Sequence, residues 1–403
     1  MTSNFRKDFP ILKKKIQGKP LIYFDTAATA QKPQAVIDAL SHFYTHHYGT
    51  VHRGVYTLAR EATEAYNQTR HKVQKFLSAR HVEEIIFTRG TTASLNLIAR
   101  SFTQSYLKRG DVILLPEIEH HSNMVPWQMV AQERGFSIRF LPVNDQGEID
   151  LDAFESLLDE RVKLVTLAHL SNVIGTLHPV DYIIKKAHEA GAKVCLDGAQ
   201  SAPHLPVNVE ELDVDFYTFS GHKLYGPTGI GVLYGKKDLL ENMPPLEGGG
   251  DMIERVTLAQ TTYNCLPNKF EAGTPTLVEA IGLGEAIDYL SQIGMEKIYR
   301  WETELLNYAC KKLSEIPGLR IIGTAKSKGA IISFVVEGAH PLDLALLLDC
   351  EGIAIRTGHH CCQPAMERFS ITSTARISFG LYNTLEEIDR FITCLQNTLK
   401  ALR

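Results

Sequence analysis

Short runs of almost continuous apolar residues constrain this chain more than any other feature. Glu84-Ile85-Ile86-Phe87-Thr88, Asp111-Val112-Ile113-Leu114-Leu115 and Lys163-Leu164-Val165-Thr166-Leu167 each read as a strand without a polar face. So do Val194-Cys195-Leu196 and Phe216-Tyr217-Thr218-Phe219. A strand that is apolar on both faces must be covered on both, which suits a parallel sheet between helix layers. Amphipathic helical stretches alternate with these runs from about residue 20 to residue 290. The reading is an α/β fold with a mostly parallel central sheet. Polar or glycine-containing turns follow the runs, and α/β folds place their ligands there.

Beyond residue 290 the alternation changes. A helical stretch from Thr276 to Leu290 leads into a strand at Ala330 to Val336 and a helix at Leu342 to Leu348. Strands near Gly352 to Arg356 and Ala375 to Phe379 follow. The spacing Thr384-x-x-Glu387 is a capping box that opens a final helix. Leu385, Ile388, Phe391, Ile392, Leu395 and Leu399 then recur at helical spacing and are expected to pack inward. The expected division is a large domain over 20–290 and a small domain made of 1–19 plus 291–403. There is no internal repeat, low-complexity tract or flexible linker.

At 403 residues the chain is long enough for two domains and a large core. A formal net charge of −4 with no basic stripe argues against a nucleic-acid partner. The stretch Met1 to Lys7 lacks the apolar centre of a signal peptide, and no apolar run is long enough to span a bilayer. Seven scattered cysteines do not resemble a disulfide framework. The expected compartment is the reducing cytoplasm.

Two of the strand ends carry complementary chemistry. The Val194 to Leu196 run ends in Asp197-Gly198-Ala199-Gln200, and the Phe216 to Phe219 run leads through Ser220-Gly221-His222 to Lys223. A lysine and a carboxylate placed just past neighbouring strands are what pyridoxal 5'-phosphate (PLP) requires. The lysine binds the aldehyde covalently, and the carboxylate keeps the pyridine nitrogen protonated, so that the ring acts as an electron sink.

Other turns offer the remaining parts. Gly90-Thr91-Thr92 precedes a helical stretch, and its free N–H groups with the Thr92 hydroxyl make a phosphate site or a plain helix cap. Ser220 and His222 are further phosphate donors. In Glu119-His120-His121, His120 is placed to stack on a cofactor ring and move protons, or to be a solvated loop residue. Asn172 is either a ligand-facing amide or a turn asparagine.

In Arg356-Thr357-Gly358-His359-His360-Cys361-Cys362, contiguous residues cannot all reach one tetrahedral ion, so no metal site is assigned. Cys361, beside Arg356, His359 and His360, is instead a candidate nucleophilic thiolate, and Cys362 a packed thiol. Arg376 lies in an apolar strand. It needs either a substrate carboxylate or a protein carboxylate as its partner.

With these residues in view, the chain resembles the group II cysteine desulfurases of the SufS type, in the class V aminotransferase family. The resemblance runs nearly end to end. It rests on Phe24-Asp25-Thr26-Ala27-Ala28, Val51-His52-Arg53-Gly54, Arg89-Gly90-Thr91-Thr92, Glu119-His120-His121 and Asp197-Gly198-Ala199-Gln200. It continues through Ser220 to Pro227, Phe270-Glu271-Ala272-Gly273-Thr274-Pro275 and Arg356 to Cys361.

The resemblance implies the PLP-dependent transferase fold type I, with a smaller C-terminal α/β domain. It implies that Lys223 carries the cofactor, that Asp197 pairs with the pyridine nitrogen, and that Gln200 and Asn172 face the ring hydroxyl and the substrate. His120 would stack and transfer protons. Thr92, Ser220 and His222 would hold the phosphate, and Thr274 would reach the phosphate of a neighbouring subunit in an obligate homodimer. Arg376 would bind the substrate carboxylate, with His52, Arg53 and Arg356 lining the site near Cys361.

The implied reaction takes L-cysteine to L-alanine with a persulfide on Cys361. A sulfur acceptor of the SufE or SufU type would then feed Fe–S cluster assembly. The chain departs from the family at Cys362, where a small residue is usual. Selenocysteine lyase is the alternative on the same scaffold. An aminotransferase or kynureninase-like enzyme, or a non-catalytic thiol or metal-binding scaffold, are further rivals.

Overall fold

The computed structural model describes residues 4–52 and 54–402. The apolar runs form the expected sheet. Its strands are β1 (Ile85–Thr88), β2 (Val112–Pro116), β3 (Ser137–Leu141), β4 (Val162–Ala168), β5 (Lys193–Asp197), β6 (Phe216–Ser220) and β7 (Gly231–Gly235). They lie in the order β1-β7-β6-β5-β4-β2-β3. Neighbours run parallel except where β7 returns antiparallel between β6 and β1. Side chains alternate between two cores: Ile85, Phe87, Val112 and Leu114 enter one, and Ile86, Ile113 and Leu115 enter the other. Coverage on both faces is why these strands read as unbroken apolar runs.

The return strand brings a separate turn onto the sheet end. Gly231 pairs with Ser220 in β6 and with Thr88 in β1. A Cβ on Gly231 would sit 2.4 Å from the Gly90 Cα, so only glycine lets the turn before the helix α1 (Thr91–Tyr106) approach. The helix α2 (Leu277–Ile293) ends at Gly294, whose φ of 90° stops it, and hands the chain to α3 (Met295–Ser314).

The smaller sheet is antiparallel: β8 (Leu319–Ile322), β9 (Ile331–Val336), β10 (Arg356–Gly358) and β11 (Thr374–Ser378), in the order β8-β9-β11-β10. Helices α3, α4 (Pro341–Cys350) and α6 (Leu385–Leu402) pack around it, while α5 (Gln363–Arg368) follows Cys361 and Cys362. The capping box is formed: Glu387 Oε2 accepts the Thr384 N–H, and the Glu387 N–H donates to Thr384 Oγ1, both at 3.2 Å. Ile388, Phe391, Leu395 and Leu399 of α6 are buried, each contributing about 1.5–3 kcal/mol if its side chain is fully removed from water.

Two local readings change. The strand expected over Gly352 to Arg356 is two short strands with different partners. Ile353–Ala354 pairs in parallel with Ile22–Tyr23, and β10 joins β11. Ile22 and Phe24 accordingly pack in the core of the smaller sheet, where the Phe24 ring meets Phe379 edge-on at 5.1 Å. A hairpin, Ile253–Val256 with Thr261–Tyr263, also lies where no strand was read, because its exposed faces leave no apolar alternation. Among the described residues no helix is long and apolar enough to cross a membrane.

Candidate active site

A cleft of about 210 Å³ opens between the carboxyl ends of β4, β5 and β6 and the smaller sheet. This is where a ligand is expected in an α/β sheet. Asp197 closes β5 and is 5% exposed. Burial pushes its carboxyl pKa up, the Ala199 N–H at 2.9 Å on Oδ1 pulls it down, and Lys223 pulls the same way. Lys223 lies in the turn after β6. Burial lowers its ammonium to about 8, with Asp197 opposing and Arg376 and Arg356 assisting. A lysine held near 8 is partly neutral and therefore nucleophilic. Gln200 donates from Nε2 to the Ala27 carbonyl at 2.7 Å, while its Oε1 is buried without a partner.

At the other end, Ser220 ties the sheet to the start of α1. Its Oγ accepts the Thr91 N–H at 2.9 Å and shares a hydrogen bond with Thr91 Oγ1 at 2.8 Å. Thr92 Oγ1 bonds Ser122 Oγ at 2.7 Å, and His222 Nδ1 lies 3.1 Å from Thr29 Oγ1. The first N–H groups of a sixteen-residue helix thus face a polar pocket, a natural anion site. His120 accepts the Ser122 N–H on Nδ1 at 3.0 Å. Burial, then Lys223, push its pKa down to about 3, so the ring is neutral and its proton sits on Nε2.

The facing wall comes from the smaller sheet. Arg376 is 2% exposed; it pairs with Asp25 at 3.0 Å and donates to the Asn172 carbonyl at 2.8 Å, yet its buried Nε has no partner. The protein-carboxylate reading of this arginine is met by Asp25, while its Nε is left without a partner. Burial pushes the Asp25 carboxyl up and Arg376 pulls it back. Asn172 spends its Nδ2 on the His360 carbonyl at 2.7 Å.

Cys361 lines the cleft in an unusual backbone. Gly358 has φ 113°, His360 φ 52° and Cys361 φ 57°. Each non-glycine residue in the left-handed region costs on the order of 1–3 kcal/mol, so the surroundings must hold it. His360 Nε2 meets Thr374 Oγ1 at 2.7 Å, the Cys361 N–H donates to His359 Nδ1 at 3.2 Å, and the Cys361 carbonyl accepts the His121 N–H at 2.8 Å. Burial, then Arg376 and Arg356, push His360 down to about 2, which keeps it neutral. Cys362 is fully buried, and burial pushes its thiol up to about 12. Only Cys361 of the two adjacent thiols lines the cleft.

Two sequence candidates stand elsewhere. Thr274 lines a second hollow with Tyr66 and Arg89. The His52 ring packs edge-on to Tyr66 at 5.8 Å. Arg53 lies outside the described residues. Three contributors escaped the residue-by-residue reading: Thr91, Ser122 and Asp25. Asp25 stands inside the Phe24-Asp25-Thr26 motif, but its partner Arg376 is 351 residues away, so no local signal marked it.

Residues 22–391 match the family model described as Aminotransferase class-V. The chain belongs to the class V aminotransferase family. Within this family it is 49% identical over 393 residues to the probable cysteine desulfurase of Halalkalibacterium halodurans, covering 98% of this chain and 97% of that protein. It is equally identical to the probable cysteine desulfurase of Mycolicibacterium paratuberculosis, covering 97% of this chain. The chain spans 57% to 64% of the length of three such relatives. The crystal structure of the Escherichia coli cysteine desulfurase CsdA superposes with a TM-score of 0.92 at 40% identity, over 99% of this chain and 98% of that one.

The cleft of this class V chain fits pyridoxal 5'-phosphate. The buried carboxylate of Asp197 would gain from a cationic ring nitrogen, the orphaned Gln200 Oε1 could accept from a ring hydroxyl, and α1 would offer its N-terminus to a phosphate.

Proposed function

We propose that this chain is a PLP-dependent cysteine desulfurase, converting L-cysteine to L-alanine with a persulfide left on Cys361. The observation that carries the reading is a single thiol, Cys361, lining the same cleft as Lys223 and Asp197. Lys223 would hold the cofactor aldehyde and Asp197 the pyridine nitrogen. Gln200 and Asn172 would serve the ring hydroxyl side, His120 the ring face, and Thr92, Ser220 and His222 the phosphate. Bound there, the cofactor supplies an electron sink for bond breaking at the substrate Cα and Cβ.

The chain's own residues do the rest. Arg376, through its unspent Nε, and Arg356 draw in the substrate carboxylate. Lys223, lowered to about 8 by burial, takes the Cα proton on Nζ. The Cys361 thiolate attacks the substrate sulfur, so a sulfur–sulfur bond forms as the Cβ–S bond breaks. His120 Nε2–H and the Lys223 ammonium are the proton sources for the new methyl group. L-Cysteine and the Cys361 thiol together contain every atom of L-alanine and the persulfide, so no external oxidant or reductant enters.

Thr274 and His52 do not line their own cleft, which supports their acting at the cleft of a second copy in a homodimer. All seven cysteines are free, which supports a reducing cytoplasm. The persulfide would pass to an acceptor of the SufE or SufU type for Fe–S cluster assembly. The test is an absorption spectrum of the purified protein before and after L-cysteine, with alanine assayed in the same sample. A yellow band that shifts as alanine appears supports the reading. A protein that stays colourless after incubation with PLP overturns it.

A further inference from the structure

His121 belongs to none of the roles above, yet it touches the Cys361 segment twice. It follows β2 on the large sheet, so both contacts cross the cleft from one sheet's territory to the other's. Its backbone N–H donates to the Cys361 carbonyl at 2.8 Å, and its Nε2 accepts the Gln363 N–H at 3.2 Å. Gln363 is the first residue of α5, and a first-turn N–H has no acceptor inside its own helix. The contacts therefore hold the segment from Cys361 onward, one on its own carbonyl and one two residues on. The held segment begins at the left-handed turn of His360 and Cys361, consecutive residues that keep that shape only while outside groups hold them.

We propose that His121 is a positioning residue for Cys361: its Nε2 caps α5 from across the cleft and holds the thiol at the angle from which it attacks. The inference rests on Cys361 being the nucleophile. The ring must be neutral to accept on Nε2, and burial followed by the neighbouring His359 lowers its pKa in that direction. The His359 ring lies 5.6 Å away and the His120 ring 6.4 Å away. A surface histidine with no role would not place its ring nitrogen on a helix-opening N–H, and His121 Nδ1 is not the atom used. Glutamine can present Oε1 near the position of Nε2, whereas asparagine reaches only as far as Nδ1.

The experiment compares His121→Ala, His121→Asn and His121→Gln with wild type and Cys361→Ser, all as PLP-loaded enzyme, by kcat and KM for alanine formation from L-cysteine. The expected result is a kcat lowered about tenfold in the Ala and Asn variants, a typical hydrogen bond's worth, with KM within about twofold. The cofactor band stays at its wild-type position, and the Gln variant recovers most of the loss. If Ala disturbs folding, the Gln and Asn pair decides the matter alone. A Gln variant no faster than Asn overturns the clamp. So do three variants at wild-type kcat beside an inactive Cys361→Ser, an outcome that leaves the nucleophile reading standing. Wild-type turnover in Cys361→Ser overturns the nucleophile, and the clamp with it.

Discussion

Asp197 and Ser220 end buried strands whose ladders continue on both sides, so their positions follow from β5 and β6 themselves. Cys361 has no such support. It sits in a left-handed turn held by His121, Asn172 and Thr374, none of which is near it in sequence except the last. One wall of the cleft is set by local structure and the other by tertiary contact. The contrast teaches that the cofactor end is rigid by construction, while the thiol end is strained and separately adjustable. Removing one wall should leave a recognisable remnant of the other.

The sharpest way to break the contrast is Lys223→Ala. Alanine formation should fall by ~10²–10⁴-fold or more, together with any yellow band of the purified protein, since the proposed role of this residue combines proton transfer with cofactor attachment. Cys361→Ser should stop turnover of L-cysteine to a comparable degree yet keep the band. Loss of both properties in the serine variant would merge the two walls into one unit. Selenocysteine turnover surviving in that variant would favour lyase chemistry.

The large sheet can be tested through its support. Glu271 binds Arg70 through both guanidinium nitrogens at 2.7 and 2.8 Å and accepts the Phe87 N–H of β1, with side chains only 8% and 5% exposed. Glu271→Gln leaves a buried guanidinium uncompensated and should cost about 3–5 kcal/mol in unfolding free energy, read from denaturant titration. A loss below about 1 kcal/mol would mean the pair is as weak as a surface one.

The thiol wall should answer to pH. His360 is lowered from 6.5 to about 2, so the folded protein keeps it neutral while the unfolded chain protonates it. Unfolding then takes up a proton below the ordinary histidine value, and stability falls as pH drops through that range. His360→Asn should flatten the slope between about pH 6 and 4 by roughly one proton, ~1.4 kcal/mol per pH unit. An unchanged slope would show that His360 is hydrated in the folded state. Smallest of all, Cys362→Ala should leave kcat within about twofold, because its buried thiol stays protonated. A large loss would make the second thiol part of the sulfur path.

Much of the large sheet was legible because strands covered on both faces announce themselves by composition. Asp197 ends such a strand and Lys223 stands in the turn just past one, so their positions could be read from the strands. The divided strand at Ile353–Ala354 and Arg356–Gly358 was not, because what splits it is pairing with Ile22–Tyr23, more than 300 residues away. The Asp25 partner of Arg376 was hidden for the same reason. A buried arginine states that it needs an anion, and only the folded chain says which.

By itself, then, the sequence determined the sheet, the capped final helix and the residue types that a PLP lysine, its carboxylate and a nearby thiol require. These depend on side-chain periodicity and on neighbours a few positions apart. Tertiary structure decided which of two adjacent cysteines faces the cleft, how Arg376 divides itself between Asp25 and the Asn172 carbonyl, and that His121 grips the Cys361 segment. Those outcomes turn on burial and hydrogen bonds between groups hundreds of residues apart, and no local pattern encodes the order in which such distant groups meet.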